Sequence, residues 1–151
     1  MLKVQNKTTK VIRVVQIILF LIQIFLTTWP FVWGGVIDPK LKQSTFTALD
    51  MISNIGSTTG NAATEQALNV LGLCFIAFLV IPVIAVGFQI FDRYYNLKNI
   101  VGLICCTLGI ICIILFVGAK FLCLGSLCAM ILYLVSAFLS VMGIFARYLK
   151  N

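Results

Sequence analysis

The 151-residue chain contains no histidine, only four acidic residues and only 10% charged residues. General acid–base catalysis most often uses histidine or paired carboxylates, and metal centres need clustered His, Cys or carboxylate ligands. The four carboxylates stand apart and outside the long apolar runs, at Asp38, Asp50, Glu65 and Asp92. We therefore expect no catalytic, cofactor or metal site, and no transport coupled to a carboxylate within the membrane.

Hydrophobic residues make up 62% of the chain and the mean hydropathy is +1.13. Soluble domains are about half apolar and about a quarter charged, so a soluble globule is excluded. Eleven Lys and Arg against four Asp and Glu give a net charge of +7. The basic residues occur in short groups between apolar runs and form no basic face, so nucleic acid is not an expected partner.

Four uncharged runs of at least 20 residues exceed the length of a transmembrane helix candidate. They cover residues 14–33, 67–91, 100–119 and 121–146. Continuous apolarity without period-2 alternation favours helices over barrel strands. The sequence thus predicts one all-α integral membrane domain over residues 1–151, with the lipid bilayer as its surroundings. Pro82 lies within the second run and predicts a kink.

The first run follows basic residues, as the apolar region of a signal peptide does. It is too long for that role, contains Gln16 and Gln23, and is not followed by a cleavage site with small residues. We expect it to remain as a transmembrane helix.

Lys and Arg near the span ends predict the orientation of the chain. Eight lie on the side of both termini: Lys3, Lys7, Lys10, Arg13, Arg93, Lys98, Arg147 and Lys150. Three lie on the other side: Lys40, Lys42 and Lys120. Both termini are therefore predicted to be cytoplasmic, with the 33-residue connection 34–66 facing outward.

The connection between the third and fourth runs is very short, centred on residues 118–120, and predicts a tight antiparallel hairpin. Small residues suited to close helix packing in lipid recur along both runs. They are Gly102, Cys106, Gly109, Ala129, Ser136, Ser140 and Gly143. The hairpin also brings Cys112 towards Cys128; we interpret both as small packing residues, with a disulfide, a thiol site or lipidation as alternatives.

The long outward connection contains one segment with helical periodicity, Ser44 to Ile55. Its apolar face would consist of Phe46, Leu49, Ile52 and Ile55. Ser44 or Thr45 could cap this helix, which would lie on the membrane surface or over the mouth of the bundle. Further along, Asn61 or Thr64 could cap the second span.

The first span carries a polar stripe, because Gln16, Gln23 and Thr27 recur at steps of seven and four. Glutamine facing lipid is costly, so these side chains need partners. The alternatives are pairing inside the bundle, for example with Tyr133 or Thr107, contact with another copy of the chain, or a water-filled pore.

These features support three hypotheses about function. The first is a non-enzymatic membrane protein that self-associates or acts as an accessory subunit of a membrane complex. The second is a homo-oligomeric channel lined by the first span, whose neutral polar wall would select weakly by charge. The third is an enzyme or carrier acting on lipid at the interface, using Lys40, Lys42 and the segment Ser44 to Ile55.

Overall fold

The computed structural model describes residues 7–91 and 97–148. The chain is mostly helical, and four helices are long and apolar enough to cross a membrane. The helices are α1 (Lys7–Leu26), α2 (Ala48–Ser53), α3 (Ala62–Phe75), α4 (Ala77–Phe91), α5 (Leu97–Cys112) and α6 (Leu124–Tyr148). The predicted helical fold is confirmed in this respect: the chain has four helices that could span a membrane. Lys3, Arg93 and Lys150, which contributed to the predicted orientation, lie outside the described residues.

The structure also contains two short strands that the all-α prediction did not include: β1 (Pro30–Trp33) pairs antiparallel with β2 (Thr45–Thr47). The predicted first span, residues 14–33, was wrong at its end, because α1 stops at Leu26. Proline disfavours the helical conformation in the residue before it, so Pro30 prevents the helix from continuing. The hydroxyl groups of Thr27 and Thr28 donate to the carbonyls of Ile24 and Phe25, at 2.6 and 2.8 Å, and satisfy acceptors at the helix end.

The second membrane span is one apolar stretch, Ala62–Phe91, built from α3 and α4. Regular helix is interrupted at Ile76, whose carbonyl accepts from the amides of both Leu79 and Val80. Pro82 lies inside α4, six residues beyond the interruption. Asn61 caps α3, since its side chain accepts a hydrogen bond from the Ala63 amide at 3.1 Å.

The third span continues α5 with a π-helical turn, Ile113–Val117. Gly118 ends it at φ 73°, a conformation that glycine adopts readily, and donates its amide to the Ile113 carbonyl. The fourth span starts at Leu124, where the Ser126 hydroxyl accepts from the Cys123 amide at 2.8 Å.

The long helices form a ring in which α1 packs against α4 and α6, and α5 packs against the same two helices. Each neighbouring pair is antiparallel. The core ends in an aromatic cluster at one end of the ring, formed by Phe31, Phe75, Phe78 and Phe116. The Phe31 and Phe78 rings are centred 4.9 Å apart.

Residues 27–61 and 118–123 form a cap over the end of the bundle that carries the aromatic cluster. The Trp33 amide donates to the Phe121 carbonyl at 3.0 Å, which joins the first strand to the connection between α5 and α6. Gly125, at the start of α6, leaves room for the Pro30 carbonyl; a Cβ there would lie 2.7 Å from that oxygen. The cap is thus packed onto the helices and has a structure of its own.

The predicted helix from Ser44 to Ile55 is shorter than expected. Phe46 lies in β2, and α2 begins at Ala48 with Thr47 as its N-cap, in place of Ser44 or Thr45. Thr47 and Asp50 form a reciprocal capping box, which fixes this start.

Of the predicted apolar face, Phe46 and Ile52 pack against the core and Ile55 packs against Gly72 of α3, whereas Leu49 does not. Ala48 and Met51 are fully buried, whereas Leu49 and Ile55 are partly exposed. The start at Ala48 turns the helix so that Met51 faces α3 and Ile52 packs at the edge of the core. Residues spaced three apart through Leu49 therefore do not all lie on the buried side of the helix.

Candidate functional site

The polar stripe of α1 lies inside the bundle of a single chain. Gln16, Gln23 and Thr27 are 0%, 3% and 2% exposed. Side-chain amides in such a position need hydrogen-bond partners, because an unpaired polar group in an apolar interior is costly. Different parts of the bundle supply these partners.

A polar cluster, formed by Gln16, Gln89 and Ser140, joins three helices at the end opposite the cap. Gln16 Nε2 donates to Ser140 Oγ at 2.7 Å, and Gln89 Nε2 donates to Gln16 Oε1 at 2.9 Å. Gln89 Nε2 also lies 3.3 Å from the Lys98 carbonyl. All three side chains are fully buried. The cluster therefore connects α1, α4 and α6, and reaches the start of α5.

The amide oxygen of Gln89 is buried and has no hydrogen-bond partner among the described residues. The same holds for the hydroxyl of Ser136, one helical turn from Ser140. The polar cluster thus leaves one strong acceptor, the Gln89 amide oxygen, without a partner among the described residues.

Arg13 connects α1 to the end of α4 by hydrogen bonds beside the polar cluster. Its Nε donates to the Gln89 carbonyl and its Nη2 donates to the Ile90 carbonyl, both at 2.6 Å. The last carbonyls of a helix lack helical partners and carry the negative end of the helix dipole, so a guanidinium is favourable there. Two residues of α1 therefore bind Gln89: Arg13 binds its backbone carbonyl and Gln16 binds its side chain.

Glycines allow the helices to approach closely around these groups. A Cβ on Gly102 would lie 3.0 Å from Ser140 Oγ, and one on Gly143 would lie 2.7 Å from the Asn99 amide nitrogen. Deeper in the bundle, a Cβ on Gly109 would lie 2.5 Å from the ring of Tyr133.

All seven small residues predicted to pack between the third and fourth spans are buried. The close approaches of Gly102, Gly109 and Gly143 involve side chains from the facing helix of this pair, α5 or α6. Small residues therefore make room for Tyr133, Asn99 and the polar cluster.

The other two residues of the stripe, Gln23 and Thr27, do not belong to the polar cluster. Gln23 Nε2 donates to the Ala129 carbonyl on α6 at 2.9 Å, and Thr27 bonds its own helix. The suggested partners were wrong: Thr107 is exposed and donates to the Ile104 carbonyl of its own helix. Tyr133 is buried against Gly109.

Sequence reasoning missed Gln89, Asn99 and Arg13 as members of this region. Gln89 could have been found by the rule that selected Gln16, since it is a glutamine inside an apolar run. Asn99 and Arg13 gave no such signal, because polar residues at span ends usually face water or headgroups.

The remaining candidates do not join the polar cluster. Lys40 and Lys42 are exposed in the cap. All six cysteines are free, including Cys112 and Cys128. In residues 7–91 and 97–148, no three His, Cys, Asp or Glu side chains form a group that could hold a metal ion. Chemically, the polar cluster offers neutral amides and a hydroxyl, which form hydrogen bonds and fix the helices in register.

Comparison of the chain with protein-family models, with curated proteins and with solved structures gave no match.

Proposed function

We propose that this protein is a non-enzymatic membrane subunit that associates within the bilayer with copies of itself or with other membrane proteins. Its termini would be cytoplasmic, as the distribution of Lys and Arg predicts. The proposal is supported by the way in which the chain distributes its polar and apolar side chains. The glutamines pair inside one bundle, and the outer faces of the long helices are apolar.

One glycine on the outer surface carries the proposal. Of the eleven glycines, seven would bring an added Cβ within 3.0 Å of another part of the chain, and three have positive φ. Gly87 has neither property: among the described residues, a Cβ there would meet nothing within 4 Å. Glycine inside a helix costs about 0.5–1 kcal/mol relative to alanine. Packing within the chain therefore gives no reason for glycine at this position.

Gly87 lies on the outer side of α4 among exposed large side chains. Val83 and Ile84, one turn earlier, and Phe91, one turn later, are 55%, 45% and 82% exposed. In lipid, helices associate through close packing at small residues, because burial of apolar surface gives little driving force there. A notch at Gly87 between bulky neighbours suits the approach of a second transmembrane helix.

The burial of the stripe favours this subunit over a channel between copies. Gln16 and Gln23 already have partners within one chain, so a pore lined by them would require α1 to rotate and break those hydrogen bonds. The choice between subunit and channel is tested by the mass of the purified particle in mild detergent, corrected for bound detergent. A dimer or a complex with another protein supports the subunit, whereas a defined ring of about five or more copies supports the channel.

Gly87→Leu is expected to weaken self-association, because the new side chain fills the notch on α4. Overpacking by about 1–3 kcal/mol corresponds to a rise of about 5-fold to about 150-fold in the dissociation constant. Energy transfer between labelled copies in liposomes, measured against protein density, gives this constant.

The matched control is Val135→Phe, which adds bulk on the exposed surface of α6. It should leave association unchanged. Gly87→Ala should leave the fold intact, since the added methyl group has space. Equal association by wild type and Gly87→Leu would show that α4 is not the contact surface.

A further inference from the structure

We propose that the start of α1 carries a binding groove for an anionic phospholipid. A shallow, open groove of about 250 Å³ lies on the outer surface of this helix, and only residues of α1 line it: Lys10, Val11, Val14 and Val15. It is separate from Gly87 on α4 and does not involve the polar cluster inside the bundle.

The position of the groove along α1 matches the upper part of a lipid molecule. Twenty residues of helix extend about 30 Å, close to the thickness of the hydrocarbon core. Lys10 lies one turn from the start of α1, so its long side chain can reach the headgroup level while its methylene groups stay in the apolar region. Val14, one turn deeper, faces the acyl chains.

The walls of the groove are apolar and its rim is cationic. Val11 and Val14 are 55% and 56% exposed, and Val15 is 37% exposed. Valine is short and stiff, so consecutive turns of valine leave a recess that an acyl chain can fill. Lys10 is exposed at the rim, where its ammonium can pair with a phosphate group.

Charge complementarity selects an anionic lipid over a zwitterionic one. Arg13 adds a second positive charge close to the groove, although its donors are directed to the carbonyls of Gln89 and Ile90. A Lys near an anionic membrane surface contributes enough free energy to change lipid binding about fivefold.

Native mass spectrometry of the full chain, released from micelles with phosphatidylglycerol or phosphatidylcholine, tests the proposal. The wild type is expected to retain phosphatidylglycerol in preference. Lys10→Gln should lower that preference about fivefold, whereas Lys120→Gln, at the opposite end of the bundle, should leave it unchanged. Val14→Phe keeps every charge but fills the groove, and it should also reduce retention of phosphatidylglycerol.

Several results would overturn the proposal. Equal retention of both lipids by the wild type would remove the selectivity, and unchanged retention in both Lys10→Gln and Val14→Phe would remove the groove. Displacement of phosphatidylglycerol by millimolar inorganic phosphate would indicate a simple anion site. If Val14→Phe changed the particle mass and left lipid retention intact, the groove would be a protein contact.

Discussion

Gly109→Leu is expected to destabilise the protein by about 1–3 kcal/mol, or to prevent the bundle from assembling. A single Cβ at this position would already lie 2.5 to 2.8 Å from atoms of the Tyr133 ring. Tyr133 is 1% exposed and packed on all sides, so the ring cannot swing away without moving α6. Titration with denaturing detergent in mixed micelles would measure the change in the free energy of unfolding.

Thr107→Leu is the matched control, since it adds bulk to the exposed face of the same helix. It should be close to neutral in lipid or detergent. Tyr133→Ala in the Gly109→Leu background should recover part of the loss, because it opens the space that leucine needs. If Gly109→Leu unfolded at the same detergent concentration as the wild type, the close packing of α5 on α6 would be wrong.

Gln16→Leu is expected to cost about 1–2 kcal/mol, because it removes the acceptor of Gln89 and the donor to Ser140 at once. Gln89 would then retain only its longer contact to the Lys98 carbonyl. The same unfolding titration would measure this loss of stability. We also expect the helices to lose tertiary order at the end of the bundle opposite the cap.

Gln23→Leu serves as the control for the loss of one buried glutamine. Its amide donates to the Ala129 carbonyl within α6, so removal leaves no side chain without its partner. We expect a loss smaller than that of Gln16→Leu. Replacing Gln16, Gln89 and Ser140 together by Leu, Leu and Ala should restore much of the stability, because no member of the polar cluster is then left unpaired. A triple variant less stable than Gln16→Leu would contradict this account.

The polar cluster gives a physical reason for the arrangement of the helices. Apolar side chains in lipid impose little preference for one register over another, whereas buried amides require particular partners. Gln16 can reach both Ser140 and Gln89 only when α1 lies between α6 and α4. Arg13 reinforces the same arrangement through the backbone of α4.

The predictions from sequence succeeded where a property depends on a single stretch of chain. Apolar run length identified the four spans, and the polar stripe of α1 was found from its spacing. The local rules failed at the end of α1, where the count of uncharged residues ran past Pro30. They failed again at Phe46, because pairing with Val32 drew this residue into a strand.

The sequence by itself determined four helices long and apolar enough to span a membrane, because the cost of leaving apolar residues in water and backbone groups unpaired in lipid is set residue by residue. It also determined that Gln16 and Gln23 need partners. Only the tertiary structure decided which partners they have, because Gln89 and Ser140 lie 73 and 124 residues from Gln16 along the chain. Contacts over such separations depend on how helices rotate and slide against one another, and periodicity within one helix does not specify that.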